Sequence, residues 1–416
     1  MACAASERSA SPPLDVGVRR AVVMKARRAR NDYLLLLETL MPLTDVERPD
    51  RVLRRFRVGA PALDYAPPAG STIADFATHP SGEVSIMLVS DAGYALERWT
   101  SDGARNGPVM VEGVVPSSWS HDAARVAPLG EDVVLALRAD DNAVRAFRYA
   151  PDGGRYRTVW ETIVEPANDL LPRALTSGSF DTFGQLRTPF RAYVDIGPDG
   201  AVWVGVLNDP GTDLLAVHNA TFGDDLRGVS QTGPSYDVLV TLLEPTGRRV
   251  FSRMVGTPWH DEIYGLRAVP GALLVVGRSE TIPGDAGGWD GLLARVNEDG
   301  TVAAGTFDVD AGDILFDADV LADGRTVAVG ATGYADNPSG GSISETCSLL
   351  ALIVTGQVPT RVALPSLPRH NQLRTVLADA ATVWVAGMSN GPGTHSGDTD
   401  RSVIRADPFV ATLTLP

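Results

Sequence analysis

An all-β chain, built from one four-stranded unit repeated around a closed ring, is the fold class this sequence predicts. Three observations carry the prediction. Two stretches, "SYDVLVTLLEPTGRRVFSRM" from Ser235 and "GWDGLLARVNEDGTVAAGTF" from Gly288, share an aromatic-Asp pair, an alternating apolar run, a Gly turn and a second alternating run. The chain of 416 residues holds 42 Gly and 29 Pro, the density of turn residues that short strands need. Asp-Gly pairs at 102–103, 152–153, 199–200, 299–300 and 323–324 lie between alternating runs, where they favour tight hairpins. A unit of about 55 residues cannot bury both of its faces alone, so copies must stack, and radial stacking closes the array into a β-propeller.

Residues 1–14 read as a flexible tether and 15–416 as one propeller domain, with blades near 15–70, 71–119, 120–185, 186–256, 257–312, 313–368 and 369–416. In the first, "YLLLLETLM" serves as second strand and "RVLRRFRV" as third. If "AVVMKARRARNDYLLLLETLM" were instead a helix, six blades and an N-terminal cap would remain. The opening strand pair of the later blades recurs as "ADFATHPSGEVSIMLV" at Ala74, "AARVAPLGEDVVLAL" at Ala123 and "AYVDIGPDGAVWVGV" at Ala192. It returns as "IYGLRAVPGALLVVG" at Ile263, "DADVLADGRTVAVG" at Asp317 and "LRTVLADAATVWVAG" at Leu373. The closing pair recurs as "ALERWTSDGARNGPVMV", "AVRAFRYAPDGGRYRTVW" and "LLALIVTGQVPTRVAL", beside the two stretches quoted first.

The segments "GGWDGLLARVNEDGTV" and "PSYDVLVTLLEPTGRRVFSRMVG" resemble the repeat of the bacterial seven-bladed β-propeller family, with its Gly-Gly-Tyr-Asp-Ala-Phe-Val-like start and Asn-Gly-like turn. The resemblance is good over 233–305, fair to 416 and only architectural before 186. It implies a scaffold of secreted or surface-attached bacterial proteins and no particular chemistry. Two copies depart from it: "ETCSLL" and "TDRSVI" stand where the aromatic-Asp pair would be.

A formal charge of -15 argues against a nucleic-acid partner, which requires a dominant basic surface. Lys25 is the only lysine. The apolar run "YLLLLETLMPL" is too short for a membrane helix. Two cysteines, Cys3 and Cys347, make no disulfide framework, and Cys347 reads as a small core residue. The start "MACAASERSASPP" resembles the cut end of a bacterial lipoprotein, which would put a lipid on Cys3 and the protein outside the cytoplasm; the alternative is an ordinary cytoplasmic N-terminus. Residues 15–60 hold eleven basic and six acidic side chains, among them Arg19, Arg20, Lys25, Arg27, Arg28 and Arg30. With Cys3 lipidated these would rest on anionic lipid; the plainer expectation is an exposed alternating strand.

Loop length points to function. Turns within each strand pair are short, whereas 207–235, 278–289, 331–346 and 388–401, with 165–187 between two copies, are long and emerge on one face of a propeller. That face is expected to bind a protein or glycan. Three histidines share one repeat position there, His121, His260 and His370, followed by Asp122, Asp261 and Asn371. They would either fix the turns of their own blades or converge on a metal ion, with Asp neighbours orienting the rings. Trp259 adds a stacking surface, so His121, Trp259, His260, Asp261 and His370 are the candidate ligand-binding residues. In "FDVDAGDILFDAD", which holds Asp308, Asp310, Asp313, Asp317 and Asp319, strict alternation predicts solvated strand faces rather than calcium ligands, with Phe307 and Val309 inward and Asp308 and Asp310 in water. No Gly-x-Ser-x-Gly elbow, phosphate loop or His-Glu-x-x-His occurs. The expectation is a monomeric, non-catalytic binding or scaffold propeller of the bacterial cell envelope, without a cofactor. The alternative is a propeller hydrolase or lyase acting on carbohydrate at the mouth of the channel.

Overall fold

Seven antiparallel sheets of four strands each make up the computed structural model. Outside the described residues lie 1–13, 17–20, 31, 40–50, 58–60, 112–123, 140, 142, 153–154, 168–191, 209–213, 230–236, 281–288, 310–311, 334–346, 357, 365–370, 380–381, 391–405 and 416. Blade 1 comprises Ala21–Ala29, Asp32–Thr39, Arg51–Phe56 and Leu63–Tyr65, so the segment with the helical alternative is a full blade. Its four consecutive leucines, Leu34 to Leu37, are all buried, as a strand packed on both faces requires.

The first strand of each sheet is the innermost. Ala21–Ala29, Ser71–Thr78, Ala124–Leu129, Ala192–Ile196, Asp261–Val269, Ile314–Val320 and Asn371–Ala378 pack against one another in that order, and the last returns to the first. Blade 7 draws three strands from the C-terminal segment, and its fourth, outermost strand is Leu14–Asp15, paired antiparallel with Val410 and Phe409. The chain therefore enters the ring beside its own end, and one sheet joins the two. Strand direction also sorts the connections. Those between first and second strands and between third and fourth strands are short, the longest being 57–62, and all lie on one face. Connections between second and third strands, and between blades, emerge on the opposite face and reach 166–191 and 209–236.

An innermost strand is also a sheet edge, whose axis-facing N–H and C=O groups need partners. Side chains of adjacent blades supply them. Asp75 accepts from the Val126 N–H at 2.9 Å, Asp195 from Ala268 at 3.0 Å, Asp317 from Val376 at 3.2 Å and Asp319 from Ala378 at 2.9 Å, each reaching from one blade to the next. Cations complement them: Lys25 donates to the Phe76 carbonyl at 2.9 Å, and Arg267 to those of Ala318 and Val376 at 3.2 Å. Two expectations are thereby corrected. Lys25 and Arg27 sit on an innermost strand rather than an exposed one, and Asp317 is a buried stitch between blades 6 and 7 rather than a solvated face. Phe307 is buried and Asp308 exposed, as alternation predicts.

Five innermost strands carry a β-bulge at one repeat position, where the register shifts across Met24, Ala74, Tyr264, Phe316 and Arg374. A bulge turns the extra side chain out of the ladder. All five face the axis, where they line its cavity.

The connection 209–236 holds the helix α1 (Leu214–Phe222), which loop length alone does not predict. Leu215 packs into the core between blades 3 and 4. His218 is buried against Phe222 and bonded to Asp224 at 3.1 Å, and Arg249 of the outermost strand of blade 4 closes on Asp224 at 2.6 Å. This part of the long connection is thus committed to the body of the ring.

Candidate functional site

The long-loop face and the axial channel behind it form the candidate site. At the mouth of blade 5, the turn Gly256–His260 leads into the innermost strand. Trp259 and His260 are half-buried there, the Trp259 N–H donating to Thr257 Oγ1 at 3.2 Å. The His260 ring stands edge-on to Trp289 at 5.5 Å, with Nε2 3.7 Å from Glu262 Oε1. Glu262 also accepts from Arg278 at 2.9 Å and from the Tyr264 hydroxyl at 2.7 Å, while the Arg278 guanidinium stacks 4.0 Å over Trp289. Burial works against the Glu262 carboxylate, but Arg278 and His260 outweigh it and hold the group well below the usual range. Trp289 is the aromatic of the repeat's aromatic-Asp pair, so the repeat signature serves here as the wall of a polar cluster.

Asp261 has a different environment from its neighbours. It is fully buried and accepts from the Thr257 N–H at 2.6 Å and the Thr257 hydroxyl at 3.1 Å, which locks the turn. Burial raises its carboxyl to about 7, against the bonds from Thr257 and Ser279, and nearby Asp237 adds to the rise. Asp313 repeats the device one blade on, accepting from the N–H of Val309 four residues back. In blade 5 the turn is locked by Asp261, the residue after the histidine. His121, Asp122, His370 and Cys3 lie outside the described residues. Asn371 is buried at the start of its strand. Among the described residues no three His, Cys, Asp or Glu side chains are grouped to hold a metal ion.

Along the axis lies a cavity of about 110 Å³, lined from all seven innermost strands. The lining residues on those strands gather around the strand middles, with Arg125 nearer the long-loop face and Arg27, seventh of the nine residues of its strand, nearer the short-turn face. Lys25 forms a 2.7 Å ion pair with Asp75. Burial still dominates its amine and, with the repulsion of Arg27 and Arg125, lowers it to about 8 against the pull of Asp75. Arg27 is likewise lowered, first by burial and then by Arg267. Burial works in the same sense on Arg267, but Asp317, Asp319 and Asp195 overcome it and raise that guanidinium. Tyr264 connects the two regions, since its ring faces the cavity and its hydroxyl holds Glu262. None of this channel chemistry was legible in the sequence. Its best signal was the single lysine, set among arginines on an alternating strand.

No family model matches the chain, and no curated protein matches it. Among solved structures it is similar to YCF48 bound to D1 peptide, with a TM-score of 0.54 and 9% identity over 99% of this chain and 97% of that one. It is also similar to the β-propeller domain of the Trilobed protease from Pyrococcus furiosus, with a TM-score of 0.47 and 8% identity over 92% and 97% of the two chains. At such identities the likeness is one of fold. The molecule is a seven-bladed β-propeller.

Proposed function

We propose that this propeller is a non-catalytic binding module that takes up a partner on its long-loop face. One observation carries the reading: the long connections all leave the ring on a single face, while those opposite turn tightly. Loops that lengthen without selection have no reason to respect one face. In this reading Trp259 and His260 are contact residues, and Asp261 shapes the turn beneath them. A protein segment is the ligand class we favour over a glycan, because long connections set around a ring suit an extended chain, and YCF48, similar in fold over its whole length, is bound to a peptide.

A place in the bacterial cell envelope, within the repeat family that the sequence resembles and with lipid on Cys3, belongs to the same proposal. It is supported by direction. Leu14–Asp15 runs from the short-turn face toward the long-loop face, so a tether before it starts on the side away from the loops. A membrane anchor there would leave the binding face turned outward.

The test is site-specific photo-crosslinking in the native host, with the reactive residue at Asp285, Ser342 or Thr394 on the loop face and at Asp102, Asp299 or Asp323 on the turn face. A discrete protein adduct from the loop positions alone is the expected result. Adducts from the turn face alone contradict the binding face, and no protein adduct from either contradicts a protein partner.

A further inference from the structure

Buried carboxylates in this ring are commonly held by cations. Glu38 pairs with Arg51, Glu97 with Arg105, Glu165 with Arg138, Glu262 with Arg278, Asp75 with Lys25 and Asp317 with Arg267. Asp261 differs. It is fully buried where the innermost strand of blade 5 leaves the long-loop face, and its hydrogen bonds come from the uncharged groups of Thr257 and Ser279. The side chain that meets it from blade 4 is a second fully buried carboxylate, Asp237. A Cβ on Gly256 would stand 2.3 Å from Asp261 Oδ2 and 3.2 Å from Asp237 Oδ1, so oxygens of both groups converge on one glycine at the seam between the two blades.

Each of the two carboxylates secures a connection of the long-loop face. Asp237 accepts from the Val229 N–H at 2.7 Å, in the connection that contains α1. Asp261 accepts from the Thr257 N–H at 2.6 Å and from its hydroxyl at 3.1 Å, while Thr257 Oγ1 lies 2.7 Å from the Ser279 hydroxyl and accepts from the Trp259 N–H. The turn that displays Trp259 and His260 therefore hangs on Asp261. Asp290 stands on the same face of the sheet, across from Ser279, and is a further acid. Glu262, Arg278 and Glu280 project from the opposite face, the first two bonded to each other, and His260 turns toward Glu262 at 3.7 Å. Among the described residues no cation contacts Asp261, so a charge there is carried beside Asp237 and away from water. Burial first, and Asp237 after it, raise the carboxyl to about 7 against the bonds from Thr257 and Ser279. An opened, hydrated turn would lose the proton near the ordinary value of 3.8, so closure weakens as pH rises between these values and its advantage is spent above about 7.

We propose that Asp261 is a proton-operated latch of the long-loop face: protonated, it closes the turn 256–260 and fixes Trp259 and His260; ionised beside Asp237, it lets that turn open. The consequence for recognition rests on the binding face proposed above, whereas the movement of the turn does not.

Fluorine NMR of the full chain carrying 5-fluorotryptophan, titrated from pH 5 to pH 9, tests the latch. The sequence has seven tryptophans, and Trp259→Phe identifies the signal of Trp259. That signal should shift with a midpoint near 7. Asp261→Asn keeps the shape of the side chain without a proton to lose, and should abolish the transition. His260→Gln, which removes the neighbouring imidazole, should leave it in place. A Trp259 signal that stays still across the range overturns the latch, as does a transition that survives Asp261→Asn or is lost with His260→Gln. Should Asp261→Asn fail to fold, His260→Gln decides: a transition near 7 that persists without the imidazole supports the latch, and its loss overturns it. The readout involves no partner, so failure of the latch and failure of the binding face are separate outcomes.

Discussion

Lys25 stands against the axis with Asp75 at 2.7 Å and the Phe76 carbonyl at 2.9 Å, yet its amine is lowered to about 8. The sign follows from where the proton resides. Between about 8 and the ordinary value of 10.5, an unfolded chain keeps the proton that the folded one has lost, so this group's contribution to stability rises with pH across that window. The full difference is on the order of 3 kcal/mol. Titrating the single Lys25 signal by NMR should give a midpoint near 8, and a midpoint above 10 would mean that the amine is not desolvated. Cys347 illustrates the opposite case, a residue read correctly from its apolar neighbours. It is fully buried, its thiol is raised to about 11, and Ellman's reagent should fail to label it until the protein unfolds. Rapid labelling of Cys347 in a native Cys3→Ser variant would show that this core opens.

Among elements, the innermost strands carry most of what the sequence concealed. Alternation of polar and apolar residues looks the same whether the polar side faces water or a charged channel, so Lys25, Arg27, Asp317 and Asp319 read as solvent-facing. What distinguishes them is the sheet edge at the axis, which only the closed ring creates. Asp317→Ala removes the acceptor shared by Arg267, Thr375 and the Val376 N–H, and should destabilise by about 3–5 kcal/mol in urea, because a buried guanidinium loses its carboxylate. Asp308→Ala, exposed one strand earlier, should stay within about 0.5 kcal/mol. Equal effects would remove the stitching role. The glycine that ends "VVG", "VAVG" and "WVAG" also acquires a reason. A Cβ on Gly277, Gly330 or Gly387 would collide with the carbonyl of Glu262, Ile314 or Gln372, just before the bulge of the same blade. Gly330→Ala should therefore lose about 1–3 kcal/mol, whereas Gly305→Ala, which meets open space, should lose almost nothing. A neutral Gly330→Ala would mean that the bulge relaxes freely.

At the level of the whole molecule, the ring was legible because seven imperfect copies share turn chemistry and alternation. Its closure was not, since Leu14–Asp15 is too short to carry a pattern and pairs with residues almost four hundred positions away. The helix within 209–236 escaped for a related reason: a single buried turn pair, Leu215 and His218, gives little periodicity in a polar insertion. The face bearing the long loops could be inferred from sequence because it depends only on strand direction, which a four-stranded unit fixes. On the proposed function the ring divides its labour, with stability in the blades and their axial stitches and recognition in the long connections. Replacing 335–345 and 392–403 together with short Gly-Asn turns tests that division most directly, reading thermal midpoint and partner adduct in the same protein. A midpoint within a few degrees of the parent, roughly the effect of under 1 kcal/mol, with the loop-face adduct lost, is the predicted result. An adduct that persists at full yield on the shortened ring would contradict the account.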